Sequence, residues 1–409
     1  MLYKRNIRVS AIIALGLVGS LFLFPFYMRV KYSGNLANIN VLFYMSFLLL
    51  VILCRKINVD FKNGFLLMLL TLYSVIIDIF NGASREESLY SAIKYFIPLT
   101  FLLFEVKPDT VIGANLLKYL LMYFNFFVYT IFAIYVFDAF TNFTIMKFLT
   151  STVIPGISSW IPTSSSAFTY RYASYMGHYL ITAEIYMMYY LLNMSYRKIY
   201  NTPFVHPLVV HVIAVIGVLS TGSKVAIVSL LISLVGFNLK GKNKVRNLFL
   251  VCLLILCTYY IGFFDLISSR LNNELLTTGR NEVWIKILDS QQLHLHIFIG
   301  YGESISNILI SLVGKSLAGV AEEYTFLILA YKFGVLSIVV YIFFLVLNPC
   351  LKAIKNKNYI LAFSILIIFI EINMFNAYLF ITDAVLLYVL FVVILQLMNT
   401  NSISKKNDS

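Results

Sequence analysis

The stretch Thr278-Gly279-Arg280-Asn281-Glu282-Val283-Trp284 lies inside the segment that organises the rest of the chain, residues 265–321. This segment is too polar to form a membrane helix, although apolar runs lie on both sides of it. Because a transmembrane helix needs about 20 predominantly apolar residues, we predict that residues 265–321 form a large loop outside the bilayer. The rest of the chain is then a helical scaffold that holds this loop at one membrane face.

The composition predicts a helical protein that crosses a membrane many times. Of the 409 residues, 60% are hydrophobic and only 12% are charged, whereas soluble domains carry roughly 25% charged residues. We expect about twelve transmembrane helices in an all-α polytopic fold, with residues 1–409 forming a single integral membrane domain. The predicted spans lie near residues 9–28, 37–54, 64–81, 88–104, 111–137, 173–195, 204–220, 223–239, 247–264, 322–347, 358–379 and 382–398.

The basic residues predict the orientation of the chain. A net charge of +13 can indicate nucleic-acid binding, but in membrane proteins Lys and Arg collect on the cytoplasmic side. Twelve spans place both termini on one side, and that side holds most of the basic residues. We therefore expect cytoplasmic termini, no nucleic-acid partner, and two long loops on the other face, at residues 138–172 and 265–321.

The second long loop is predicted to fold down as a lid rather than to extend into water. Its two apolar stripes at helical spacing are Val283, Trp284, Ile287 and Leu288, and Ile305, Ile308, Leu309 and Leu312. Short helices of this kind lie in the membrane interface, a depth that suits Trp284. Gly279, with Glu282 three residues on, is typical of a helix start, and Gly300 and Gly302 predict a tight turn between the helices.

The sequence predicts neither a metal centre nor another cofactor. All four cysteines fall within or at the ends of predicted spans, so no disulfide is expected. His294 and His296 lie two residues apart and have no third ligand in reach. The sequence contains no P-loop and no glycine pattern for dinucleotide binding.

Three cationic residues are candidates for binding phosphate. Arg280 opens a predicted helix at the membrane face, and a guanidinium can bind phosphate through two hydrogen bonds. Lys224 ends the short outer turn 220–224, where a positive charge works against the cytoplasmic bias. Arg171 ends the first long loop. Simpler interpretations remain open, because Arg280 can pair with lipid phosphate and Arg171 can be a snorkelling anchor.

A carboxylate pair and a histidine are candidates for proton transfer. Glu322 and Glu323 end the second loop and begin a span, and a carboxylate at this boundary can accept a proton. The simpler interpretation is helix capping, since a helix N-terminus stabilises negative charge. His178 is predicted about two turns inside a span, where its simpler role is that of a core histidine bound to a hydroxyl.

These candidates together suggest a lipid-linked pyrophosphate as the substrate. Arg171, Lys224 and Arg280 would hold its phosphates and stabilise the charge that develops on a pyrophosphate leaving group. One of the two glutamates would remove a proton from the attacking sugar hydroxyl. Such a reaction requires no metal ion if the cations perform this role.

Four pieces of the chain resemble the superfamily of bacterial O-antigen polymerases and O-antigen ligases. They are residues 171–178, 220–224, 278–284 with Gly300-Tyr301-Gly302, and 322–334. The resemblance implies glycosyl transfer from an undecaprenyl-pyrophosphate donor at the periplasmic face of the bacterial inner membrane. It also makes His178, Gly300 and Gly302 candidate accessory residues.

The polymerase branch is the closer resemblance. Lys224 stands where ligases usually carry Arg, and Glu322-Glu323 stands where they usually carry His. A polymerase joins O-antigen or capsule repeat units that are both carried on undecaprenyl pyrophosphate. The implied partners are these lipid-linked oligosaccharides, membrane lipids and a protein that regulates chain length.

Two alternatives to a polymerase stay open. One is the ligase branch of the same superfamily. The other is a transporter, either a flippase of lipid-linked oligosaccharides or a proton-coupled carrier. A carrier would use the carboxylates of Asp78, Glu184 and Glu371, which lie within or near predicted spans.

Overall fold

The computed structural model describes residues 2–33, 39–53, 57–106, 111–154, 171–238, 256, 280–322, 324–373 and 382–407. These ranges are mostly helical. The helices of the first half are α1 (Leu2–Phe22), α2 (Phe26–Ser33), α3 (Val41–Leu53), α4 (Phe61–Phe80), α5 (Arg85–Tyr95), α6 (Val111–Phe140), α7 (Thr144–Thr152), α8 (Tyr179–Tyr200), α9 (Pro207–Thr221) and α10 (Lys224–Asn238). Those of the second half are α11 (Arg280–Asp289), α12 (Ser304–Val313), α13 (Lys315–Glu322), α14 (Thr325–Phe333), α15 (Val335–Ile342), α16 (Asn348–Lys355), α17 (Tyr359–Asn373) and α18 (Thr382–Asn407).

The all-α prediction misses one pair of short strands. Strand β1 (Ile57–Val59) pairs antiparallel with β2 (Phe104–Val106), and Asn58 lies opposite Glu105. A 3₁₀ turn over Ile97–Leu103 leads into β2, and a π turn over Phe343–Leu347 joins α15 to α16. Strand β2 is attached to α16 by an ion pair between Lys352 Nζ and Glu105 Oε1, 2.5 Å apart.

The prediction of twelve spans is wrong, although the described residues fit an all-α membrane protein. Within them, four helical stretches are long and apolar enough to cross a membrane, or five if the bent pair of α1 and α2 counts as one. The four are Phe61–Phe80, Asn115–Phe140, Val335–Lys355 and Asp383–Thr400. The predicted span 247–264 lies outside the described residues apart from Leu256.

Some of the predicted spans fail because the helices at those positions are too short or are bent. Helix α9 lies where a span was predicted, but it has only 15 residues and ends at its C-cap Gly222. At about 1.5 Å per residue such a helix measures roughly 20 Å, less than the ~30 Å of a hydrocarbon core. The first predicted span is broken by a bend of 74° between α1 and α2.

Helix α8 is the centre of the bundle. Every residue from Ile181 to Ser195 is buried, as expected for a helix that is covered on all sides. It packs against α9, α17, α18, α10 and α6. Because α8 follows directly after residues 171–178, this segment is held at one end of the most buried helix in the described part of the chain.

Candidate functional site

The described part of the second long loop folds on itself, as the sequence predicts. Helices α11, α12 and α13 pack on one another and on α14 around buried apolar residues, among them Val283, Ile287 and Leu309. Two details differ from the prediction. Leu288 is exposed, and Trp284 lies in the core of this group, where its ring stacks on Tyr331 at 5.5 Å between centroids.

The start of α11 lies beside the end of α13, which brings two predicted site segments together. Trp284 Nε1 donates a hydrogen bond to the backbone oxygen of Ala321 at 3.1 Å. The hydroxyl of Tyr324 donates to Asn281 Oδ1. The backbone of Arg280 is thereby placed next to the segment that carries Glu322, while the Arg280 side chain and all of Glu323 lie outside the described residues.

Glu322 is not a helix-capping residue. It is the last residue of α13, whereas the next helix begins after Tyr324. The C-terminus of a helix disfavours negative charge, so capping does not explain a carboxylate here. Glu322 Oε1 instead accepts a hydrogen bond of 2.7 Å from the hydroxyl of Ser306 on α12, and this contact orients the carboxylate.

The second pair of predicted site segments is also in contact. The backbone N–H of Tyr172 donates to the oxygen of Ser220 at 3.0 Å. This hydrogen bond joins the Arg171 segment to the turn between α9 and α10, which Gly222 closes with a φ of +62° and after which Lys224 begins α10. The Arg171 guanidinium donates to the hydroxyl of Tyr179 at 2.6 Å.

The predicted position of His178 inside a span is wrong. Residues 171–178 are not helical, and His178 is the N-cap of α8, with Nδ1 accepting a hydrogen bond from the N–H of Leu180 at 3.2 Å. Its ring stacks on those of Tyr27 and Tyr179. Burial, and next the charge of Arg171, lower the pKa of His178 to about 4.

This environment predicts that acid destabilises the folded protein through His178. An unfolded histidine has a pKa near 6.5, so between about pH 4 and 6.5 the unfolded state binds more protons and stability rises with pH. The loss on acidification should reach about 3 kcal/mol. His178→Asn keeps an N-cap acceptor and should remove this component in thermal unfolding in detergent. An equally steep pH dependence in the variant would contradict the assignment.

A backbone break at Gly334 divides the predicted span 322–347. Gly334 has a φ of +83°, a conformation that costs little only in glycine, and it separates α14 from α15. Residues 296–302 lie along this break and satisfy its exposed backbone groups. The N–H groups of Val335 and Leu336 donate to the oxygens of His296 and Ile297, both at 3.1 Å.

The predicted turn at Gly300 and Gly302 continues this pairing. The N–H groups of Tyr301 and Gly302 donate to the oxygens of Tyr331 and Lys332 at 2.7 and 2.9 Å. Gly302 has a φ of +57°, which confirms the turn. A Cβ atom on Gly300 would lie 2.1 Å from the backbone oxygen of Lys332, so the approach of the two backbones requires glycine.

A network of charged and polar side chains lies directly beneath this turn. Lys332 Nζ binds Glu303 Oε2 at 2.7 Å and the Tyr95 hydroxyl at 3.1 Å. The hydroxyl of Ser91 donates to Glu303 Oε1 at 3.0 Å, and the N–H of Glu303 donates to Asp78 Oδ1 at 3.0 Å. The side chain of Lys332 is only 2% exposed.

This network extends toward Glu322 through Lys94. Burial and the charge of Lys332 lower the pKa of Lys94 to about 8, while the carboxylates of Glu303 and Glu322 act in the opposite direction. Burial acts to raise the pKa of Glu303, but Lys332 and the hydrogen bonds it receives lower that pKa overall. Glu322 therefore lies within electrostatic range of Lys94.

Glu303, Lys94 and Lys332 were not among the predicted site residues. A lysine inside an apolar run, as at Lys332, is a sequence signal for a functional or paired charge. No comparable signal marks Glu303, because its partners come from α4, α5 and α14, which are distant in sequence.

The chemistry available to the site is proton transfer by a carboxylate next to fixed positive charge. Glu322 is the described carboxylate, and Lys94 supplies a positive charge within electrostatic range of it. The Arg171 segment contacts the turn that precedes Lys224. The Arg280 segment contacts the segment that carries Glu322. Comparison with protein-family models, with curated proteins and with solved structures finds no match to this chain.

Proposed function

We propose that the chain is an O-antigen or capsular polysaccharide polymerase. It joins oligosaccharide repeat units carried on undecaprenyl pyrophosphate, at the periplasmic face of the bacterial inner membrane. The observation that supports this most is the contact between the start of α11 and the end of α13. It sets the backbone of Arg280 beside Glu322, so that a phosphate-binding cation and a proton acceptor belong to one site.

Glu322 acts as the general base in this proposal. It takes the proton of the attacking sugar hydroxyl, whose oxygen then bonds to the anomeric carbon of the donor. The bond between that carbon and the pyrophosphate oxygen breaks, and the electron pair leaves with undecaprenyl pyrophosphate. Ser306 holds Glu322 in place for this step, and a positioned base contributes about 10² to 10⁴ in rate. Glu323 is the alternative base.

The cations stabilise the leaving group. Arg280 binds the pyrophosphate, and Arg171 and Lys224 contribute the second basic pair. Fixed positive charge in a site that excludes water stabilises developing negative charge strongly, and loss of one such group costs roughly 10² to 10³ in rate. His178 acts by ordering the Arg171 segment, and Gly300 and Gly302 act by allowing the turn above Lys332.

The test is the ladder of surface polysaccharide from cells that lack this chain. The deletion should leave lipid bearing a single repeat unit, and wild-type protein should restore the ladder. Arg280→Ala and Glu322→Gln should fail to restore it while reaching the membrane at normal levels. Lys286→Ala, which removes an exposed charge from the same helix, should restore it fully.

Other outcomes would select another function. If the deletion removes even the single repeat unit, the protein is a ligase or a flippase. Repeat units that accumulate on the cytoplasmic face would then identify a flippase. A ladder restored by Arg280→Ala and Glu322→Gln alike would exclude the proposed site.

A further inference from the structure

Two glutamates lie in the core of the helix bundle, away from the site described above. Glu184 is on α8 and Glu371 is on α17, and their exposed fractions are 3% and 1%. Neither takes part in the chemistry proposed for Glu322. Carboxylates at such positions in membrane proteins are rare and commonly functional.

Helix geometry directs both carboxylates into the same interface. The hydroxyls of Ser195 on α8 and Ser364 on α17 are 2.9 Å apart, which fixes the contact between the helices. Glu184 lies about three turns before Ser195, and Glu371 lies about two turns after Ser364, each on the face of its serine. The Glu184–Glu371 and Ser195–Ser364 contacts run in opposite order along the two helices, so α8 and α17 are antiparallel. Both displacements then point the same way, and the axial offset between the glutamates is only about 6 Å.

The structure describes no cation paired with these two glutamates. Among the described residues, neither glutamate forms an ion pair, and Glu184 Oε1 and Glu371 Oε2 accept no hydrogen bond. The two carboxyl groups interact electrostatically with each other.

The other titratable groups on the helices around the pair include phenols and a histidine. Tyr388 of α18 lies within electrostatic range of Glu184 and also interacts with Tyr341 and Cys350. On α8 itself, the hydroxyl of Tyr186 has no hydrogen-bond partner in the described structure, and Tyr189 interacts with Tyr129 of α6. On the α9 side, His211 bonds to the backbone oxygen of Pro207.

We propose that Glu184 and Glu371 form a proton-binding pair that holds one excess proton inside the bundle. Burying an ionised carboxylate without a partner costs several kcal/mol, and two adjacent carboxylates cannot both ionise. A single proton turns one group into a donor and leaves the other as its acceptor. Release of that proton would leave two like charges across the interface between α8 and α17, so proton binding and helix packing are coupled.

The test is infrared spectroscopy of the purified full-length protein at neutral pH. The wild type should show the carbonyl band of a buried carboxylic acid, and Glu184→Gln/Glu371→Gln should lose that component. Glu86→Gln, which changes an exposed carboxylate, should leave the spectrum unchanged. A wild type and a double variant with identical bands would overturn the proposal.

Two further measurements keep the test decisive. If the double variant does not fold, Glu371→Gln alone should shift the band, because the acid on Glu184 loses its carboxylate acceptor; an unshifted band would contradict the pair. Thermal unfolding in sodium, potassium and choline chloride tests for a metal cation instead. Stabilisation by sodium or potassium that requires both glutamates, with no acid band, would overturn the proton site in favour of a cation site.

Discussion

Replacing Glu303 with Gln is expected to destabilise the folded protein by about 3–5 kcal/mol, the cost of breaking a buried ion pair from one side. The substitution removes the carboxylate that pairs with the Lys332 ammonium, which is 2% exposed, whereas the Tyr95 hydroxyl that also binds this ammonium is neutral. The measurement is equilibrium unfolding of the purified protein in detergent, with the wild type and the surface variant Glu86→Gln as references.

The two partners of the ion pair should differ in how much stability is lost when each is replaced. The Glu303 side chain is 33% exposed, so water can solvate its carboxylate when Lys332 is replaced by Met. Lys332→Met should therefore cost less than Glu303→Gln, and the double variant should recover part of the loss because it no longer contains a buried lysine that has lost its paired carboxylate. A larger loss for Lys332→Met than for Glu303→Gln would contradict this account.

Gly300→Ala should destabilise the protein by about 3 kcal/mol, since overpacking costs of this size arise where neighbouring atoms cannot move. Its Cβ atom would lie 2.1 Å from the oxygen and 2.3 Å from the carbonyl carbon of Lys332. These are backbone atoms, so residues 296–302 must move off the break at Gly334. The polysaccharide ladder should be lost as well, because the displaced turn leads into α12, whose Ser306 holds Glu322 in place.

The matched control for this glycine is Gly319→Ala. Gly319 lies inside α13, and a Cβ atom there would have no neighbour within 4 Å. Alanine favours the helix by roughly 0.5–1 kcal/mol, so this variant should be slightly more stable than the wild type in the same unfolding experiment. Equal losses from both substitutions would show that the close approach at Gly300 is unimportant.

Local patterns in the sequence were enough to predict the folding of the loop at 280–321. Apolar residues at helical spacing mark α11 and α12, and Gly302 marks the turn between them. Both features depend on residues close in sequence. Trp284 was misplaced because its amphipathic ring suits a membrane interface and a packed core equally well, and only contact with Tyr331 decides between them.

The number of spans could not be predicted because hydropathy measures apolarity and not helix continuity. The run 322–347 is predominantly apolar, yet Gly334 breaks it and the non-helical segment 296–302 pairs with the break. Likewise, α9 is apolar but ends after 15 residues at Gly222. Nothing in the local sequence specifies that residues 296–302 will supply the missing hydrogen bonds.

For the same reason, only some of the residues of the proposed site could be predicted from the sequence. Arg280, Glu322, Arg171 and Lys224 could be selected by charge and position, and the structure brings the segments together in two pairs. The network around Lys332 depends on partners separated by up to 237 residues. Spacing rules do not reach such distances.

The ion pair beneath the turn also has a consequence for how the chain is made. Glu303 precedes Lys332 by 29 residues, so it leaves the ribosome before the apolar run that contains Lys332. A lone lysine in such a run opposes entry into lipid. Because the Glu303 carboxylate is synthesised first, it can neutralise Lys332 as this lysine emerges. The order of synthesis thereby makes the earlier loop an aid to the insertion of the later helix.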